Sequence, residues 1–157
     1  MHILLISPPH KNLVITTIPE KINKQRGHLP PLGLLYLASY LKDNSAHRTT
    51  IIDSEAEGID YSDLKDRIAQ LKPDLVGIQV LTFTLVDAIK SASVVRAYSS
   101  AIPIVFGGPH VTVYPAESLE LKEVDFVVRG EGEISFKNLL DNLNSETGLS
   151  GIKGIGF

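Results

Sequence analysis

Hydrophobic and polar positions along this chain follow two alternating periods. Five short runs, at 2–7, 49–53, 74–80, 103–107 and 125–129, are rich in β-forming residues and have the length of strands. Between them, apolar residues recur at helical spacing. Leu34, Leu37, Ala38 and Leu41 share one predicted helix face, and Leu64, Ile68 and Leu71 a second. Leu85, Ala88, Ile89 and Ala92 share a third, and Phe136, Leu139, Leu140 and Leu143 a last one. A shorter helix is expected over Pro115–Leu121, because proline suits a first helical turn. Unbroken apolar strands imply burial on both faces, as parallel strands require. The alternation predicts an α/β fold: a doubly wound, five-stranded parallel sheet of flavodoxin-like or Rossmann-like type, order 2-1-3-4-5, with right-handed crossovers.

Glycines and prolines fall just beyond the apolar runs. The first run leads into Ser7-Pro8-Pro9-His10, and the third into Gln79-Val80-Leu81-Thr82. The fourth leads into Gly107-Gly108-Pro109-His110, and the fifth into Arg129-Gly130-Glu131-Gly132-Glu133. Ligands of open parallel sheets bind beyond the carboxyl ends of the strands, so these residues predict one functional rim. Two segments break the rhythm. Residues 8–32 form a connection much longer than an ordinary βα loop, a feature commonly functional. The tail Gly148–Phe157 is rich in glycine yet carries Ile152, Ile155 and Phe157. The expected division is therefore a domain over 1–147, with 148–157 starting a linker to a further, catalytic domain.

Composition narrows the function. The chain has 157 residues, 43% hydrophobic content and a net charge of −3, which fits one globular domain with a sizeable core. No basic stripe favours nucleic acid; the small cluster Lys21, Lys24 and Arg26 reads as a solvated loop. Without cysteine, the chain holds no disulfide, thiolate metal site or iron–sulfur cluster. No run has the length of a membrane span, and none has a signal-peptide pattern, so a cytoplasmic location is expected.

Several common chemistries fail on particular residues. A dinucleotide site needs a glycine-rich turn after the first strand, where Ser7-Pro8-Pro9 offers few free N–H groups. Asp53, placed where a ribose-binding acid would sit, then reads as a strand-end carboxylate. A phospho-receiver domain wants an aspartate ending its third strand, and Gln79 stands there. Neither a P-loop nor a G-x-S-x-G elbow is present. One metal reading stays open: His10, His28 and His110 all fall on the rim and offer three imidazoles for a zinc hydrolase. No two of them have i, i+4 spacing, and no carboxylate base is evident beside them.

The stretch GHLPPLGLLYLASYL at 27–41 resembles the opening of the cobalamin-binding domain of cobalamin-dependent radical S-adenosylmethionine enzymes. VGIQVLT at 76–82, IVFGGPHVTVYPAE at 104–117 and VDFVVRGEGE at 124–133 follow in matching order, so the likeness covers nearly the whole chain. Within that group the chain is most similar to proteins named anaerobic magnesium-protoporphyrin IX monomethyl ester cyclases. The resemblance implies bound cobalamin, and a C-terminal radical S-adenosylmethionine barrel of the same polypeptide as partner. The [4Fe-4S] cluster, S-adenosylmethionine and the small-molecule substrate would belong to that barrel, leaving this chain alone inactive. Such parents are methyltransferases or tetrapyrrole cyclases of oxidoreductase type. A free-standing corrinoid carrier or sensor, or a domain-docking module, is the alternative.

The same resemblance implies the site. Other cobalamin proteins ligate cobalt from below with the histidine of an Asp-x-His-x-x-Gly motif. With Gly33 aligned to that glycine, His28 takes the aspartate place and Pro30 the histidine place. Proline has no lone pair for a metal, which implies cobalamin held without a protein histidine beneath cobalt. His28 and His10 stay as alternative ligands. Pro30, Pro31 and Leu32 would form a stiff apolar wall beneath the ring, and Pro9 would also contact the cofactor. Gln79, Val80, Leu81 and Thr82 would line the groove of the nucleotide tail, though Val80 and Leu81 read equally well as core. Gly107, Gly108 and Pro109 would allow close backbone approach or form a plain turn. His110 would reach a corrin amide or lie at the surface. Gly130 and Glu131 would sit near the ligand, while Glu131 and Glu133 also suit a helix's first turn.

Overall fold

The computed structural model describes residues 1–14, 29–143 and 145–157. In chain order the elements are β1 (His2–Ser7), α1 (Leu32–Asn44), β2 (Arg48–Asp53), α2 (Tyr61–Leu71) and β3 (Leu75–Gln79). A short 3-10 turn (Thr82–Thr84) leads into α3 (Leu85–Tyr98) and β4 (Ile104–Gly107). Then come α4 (Pro109–Val113), α5 (Pro115–Leu119), β5 (Phe126–Val128), α6 (Gly132–Asn142), α7 (Glu146–Leu149) and β6 (Ile155–Gly156). The sheet order is β2-β1-β3-β4-β5-β6. The first five strands are parallel, as the sequence predicts, and β6 adds antiparallel to β5.

The sheet divides the interior into two cores. On one side, α2, α3 and α5 cover Leu4, Ile6, Ile52, Val76, Ile78, Ile104 and Phe106. On the other, α1 and α6 cover Ile3, Leu5, Leu75, Val105 and Val128, with Leu34, Leu41, Phe136, Leu139 and Leu140 completing the layer. The central strands β1, β3 and β4 bury nearly every side chain, which is why they show no alternation in sequence. Helix starts are chemically marked. Asp60 caps α2 by accepting from the Ser62 and Asp63 N–H groups, while the Asp63 carboxylate returns a bond to the Asp60 N–H at 3.1 Å.

Three details differ from the sequence reading. The sheet has six strands, because Ile155–Gly156 pairs with Val127–Val128. A carbon placed on Gly156 would lie 2.9 Å from Val127 and 3.0 Å from Leu119, so glycine lets this segment lie flat. Second, Gly107-Gly108-Pro109-His110 is no simple turn: Pro109 starts α4 at once, its missing N–H costing nothing there. Third, the helix expected over Pro115–Leu121 ends at Leu119. Lys21, Lys24, Arg26 and His28 lie outside the described residues.

Candidate functional site

A cleft of about 630 Å³ opens on the α1/α6 side, at the carboxyl ends of the strands. Strand register builds its floor in two rows. Leu5, Gly77 and Val105 are neighbours in the lower row, and Gln79, Gly107 and Val128 in the upper. Gly33, Leu34 and Leu37 of α1 form one wall, and Gly132, Glu133 and Phe136 of α6 the other. Pro109, Thr112 and Val113 of α4, with Gly130 and Glu131, edge the mouth.

The floor depends on missing side chains. A carbon on Gly77 would lie 2.8 Å from a Leu5 methyl and 3.6 Å from the Phe136 ring, so those groups occupy the room that a strand residue normally fills. The Gln79 amide nitrogen comes within 3.6 Å of where a Gly33 side chain would begin. Gly108 has φ 109°, a backbone geometry reserved for glycine, and its Cβ would lie 3.0 Å from the Val80 carbonyl oxygen. That close approach is fixed on both sides: the Val80 N–H donates to Gly107 O at 2.7 Å, and the His110 N–H donates to Val80 O at 3.2 Å. Thr112 ties the mouth together, donating to Gly108 O at 3.1 Å and accepting from the Gly130 N–H at 2.9 Å.

Charge around the cleft is one-sided. Glu131 and Glu133 are its only charged side chains among the described lining residues, and they flank the start of α6, where acids are favourable to the helix dipole. Gln79 and Thr112 are the other polar side chains. The remaining wall is aliphatic, phenyl or glycine backbone.

The residues expected from the sequence separate into groups. Gly33, Gln79, Gly107, Gly108, Pro109, Gly130 and Glu131 line the cleft together. Val80 is fully buried in the opposite core, and Leu81 donates its N–H to the Thr84 hydroxyl. His110 is buried away from the cleft, with Nδ1 3.2 Å from Thr82 Oγ1 and its ring against Tyr114. Pro9 is buried after β1, whereas Pro30 and Leu32 are exposed and Pro31 precedes α1, accepting from the Leu34 and Leu35 N–H groups. His10 points at Glu55 (3.8 Å) and meets Phe83 edge-on. Among the described residues no three His, Asp or Glu side chains converge as a metal site. Leu5, Gly77, Thr112 and Val113 also line the cleft with no local sequence signal, and Leu34, Leu37 and Phe136 show in the sequence only as helix faces.

A second constellation lies on the far side of the rim. Asp87 of α3 is fully buried, and both its oxygens accept from the Asn12 backbone N–H (3.0 and 2.9 Å). The Asn12 side chain donates to it at 2.8 Å, and the Tyr61 hydroxyl donates to the same oxygen. Lys90 completes the set, donating to Asn12 Oδ1 at 2.9 Å. Burial pushes the Asp87 carboxyl up, but the hydrogen bonds from Asn12, Tyr61 and Lys11 outweigh it and hold the group below its ordinary value. Burial and the neighbouring Asp87 charge push the Tyr61 hydroxyl up. This network fastens the segment after β1 to α2 and α3.

A glycine-floored, apolar cleft beyond parallel strands suits one flat, uncharged part of a ligand. Comparison with known proteins narrows that ligand. Residues 22–140 match the family model described as B12 binding domain. A protein of Pyrococcus horikoshii named as an uncharacterized methyltransferase is 38% identical over the whole chain, which spans 32% of its length. The anaerobic magnesium-protoporphyrin IX monomethyl ester cyclase of Synechocystis is 31% identical, again over the whole chain and 30% of its own length. The structure of the cobalamin-dependent S-adenosylmethionine radical enzyme OxsB, with aqua-cobalamin and S-adenosylmethionine bound, superposes on 99% of the chain with a TM-score of 0.77 at 18% identity, using 20% of that enzyme. The chain thus spans about a third or less of each of these proteins. On the strength of its matched residues, the chain belongs to the B12 binding domain family.

Proposed function

We propose that this chain holds cobalamin for a radical S-adenosylmethionine domain of the same polypeptide. The observation that carries the reading is the cleft. Its volume of about 630 Å³ lies within the usual range of about 300–1,000 Å³ for small-molecule sites. That is room for the nucleotide tail but not for a whole corrinoid, so the ring would lie outside, across the rim. Gly107 and Gly108 would let the tail run close to backbone, and the Gln79 amide would hydrogen-bond it. The carboxylates of Glu131 and Glu133 would accept from amide N–H groups on the corrin edge. When bound, cobalamin supplies a methyl carrier or a source of radicals.

The described imidazoles support cobalt without a histidine of this chain beneath it. His10 is engaged with Glu55 and Phe83, and His110 with Thr82 and Tyr114, while neither lines the cleft. Leu32, Leu35, Tyr36, Val113 and Ile134 are exposed on the helices that form the cleft. They give a covering domain an apolar surface to rest on. The fused domain is supported by relatives and neighbours of which this chain spans a third or less, and the cluster and the substrate would belong to that domain.

Titrating the chain with hydroxocobalamin, read by calorimetry and by the corrin absorbance, tests the reading. Saturable one-to-one binding is expected; a folded chain that binds no cobalamin would overturn it. Electron paramagnetic resonance of bound Co(II) tests the ligation. Nitrogen splitting that vanishes in His10→Ala or His28→Ala would refute the absence of a histidine ligand.

A further inference from the structure

The inner end of the cleft offers almost nothing to hydrogen-bond. Leu5, Leu34, Leu37, Val105 and Phe136 surround it, with Val128 above them level with Gln79, and its floor is the backbone of β1, β3 and β4, whose amides are paired within the sheet. The Thr112 hydroxyl is already engaged at the mouth, donating to Gly108 O and accepting from Gly130 N–H. Glu131 and Glu133 stand with it at the start of α6. Gln79, in the upper row of the floor, brings one amide. A flat group pushed inward past Gln79 therefore meets only hydrocarbon and a phenyl ring.

Corrinoids differ in the aromatic base that ends the nucleotide tail. In a benzimidazole the edge remote from the sugar is C–H or methyl. In adenine that edge carries ring-nitrogen acceptors and an amino donor, while both bases keep one free nitrogen on the five-membered ring. Buried against this wall, those groups would lose water and gain no partner. Each such loss weakens binding by roughly tenfold.

We infer that the cleft is a selector for the tail base, accepting apolar bases of the benzimidazole or phenol type and rejecting purines. This rests on the proposed cobalamin reading and adds to it the class of corrinoid that the chain takes. Selection lies in the side chains of Leu34, Leu37, Val105, Val128 and Phe136, so it needs neither a metal bond to the base nor any catalytic turnover. The free ring nitrogen of the benzimidazole is dispensable for it.

Calorimetric titration of the unmodified chain with four corrinoids tests the inference. A cobamide bearing p-cresol, whose base has no bond to cobalt to give up, should bind at least as tightly as cobalamin. A cobamide bearing adenine should bind about tenfold more weakly or worse, as should cobinamide, which has no tail base. Equal affinity for the adenine and benzimidazole forms overturns the inference. Weak binding of the p-cresol form overturns it as well, by making the base nitrogen the deciding group. Cobinamide as tight as cobalamin places the base outside the cleft; the inference then fails while corrinoid binding stands. No binding by any of the four removes the cobalamin reading, and this inference with it.

Discussion

Replacing Gly108 with alanine separates steric from torsional cost at the cleft's edge. Its φ of 109° and ψ of −175° lie in a region that only glycine enters freely, and forcing alanine there costs on the order of 1–3 kcal/mol. The new methyl would also begin 3.0 Å from Val80 O and 3.3 Å from Val80 N. Neither atom can retreat alone, because Val80 is held by hydrogen bonds of 2.7 and 3.2 Å to Gly107 and His110. Loosening both adds roughly 1–3 kcal/mol. Alanine's smaller unfolded-state entropy returns about 0.4–1 kcal/mol, leaving a net loss of about 2–5 kcal/mol. For a domain of this size that lowers the melting temperature by roughly 4–20 °C. Gly130→Ala is the internal control. Its φ of 68° imposes the torsional term, but nothing lies within 4 Å of the new carbon. That variant should lose about 1 kcal/mol or less. Urea unfolding of both variants gives the comparison. Losses within about 1 kcal/mol of each other would refute the assignment of the extra cost to the Val80 contact.

Three further outcomes follow from the same geometry. Asp87→Ala should destabilise by about 2–4 kcal/mol, because it strands the Asn12 N–H and Tyr61 hydroxyl, and urea midpoints measure it. The folded Asp87 value is depressed, so its contribution is present above the unfolded carboxylate pKa of about 3.9 and fades as pH falls through the folded value. Tyr61 is raised, so its contribution is present below about pH 10 and fades above it; melting curves across pH should show both limbs flattened in Asp87→Asn. Thr112→Val should cost about 1 kcal/mol and weaken cobalamin binding a few-fold, since the Gly108 and Gly130 backbones lose their shared hydroxyl; calorimetry and melting read the two effects.

Four of the five parallel strands were legible because each is a largely apolar run leading into special loop residues, and β2 because its Thr-Thr-Ile-Ile run is β-branched. The short β6 was not: Ile155–Gly156 is too brief to show a period, and its pairing depends on a neighbour almost thirty residues earlier in the chain. The single-turn α4 was hidden by Gly107, Gly108 and Pro109, which signal a turn just as strongly as a helix start. Half of the cleft was legible for the same reason that the strands were, since its rim glycines follow the runs directly. The other half was hidden inside correct helix faces. Leu34, Leu37 and Phe136 read as core, and nothing local shows that Gly77 leaves the sheet beneath them without a side chain. The Asp87 network was out of reach, because its partners Asn12 and Tyr61 stand 75 and 26 positions away.

Gly77 has a further consequence for how stability is distributed. By withholding a side chain in mid-strand, it lets Leu5 and Phe136 close onto the sheet, and the cleft that opens beside them leaves the layer under α1 and α6 less filled than the opposite one. Local opening costs least where apolar contact is sparse. Amide hydrogens of α1 and α6 should therefore exchange faster than those of α3, and a molecule seated in the cleft should slow the first pair alone. The domain is then firm on one face and yielding on the other. Whatever enters the cleft acts as a last piece of core, and part of its binding energy is spent on ordering those two helices.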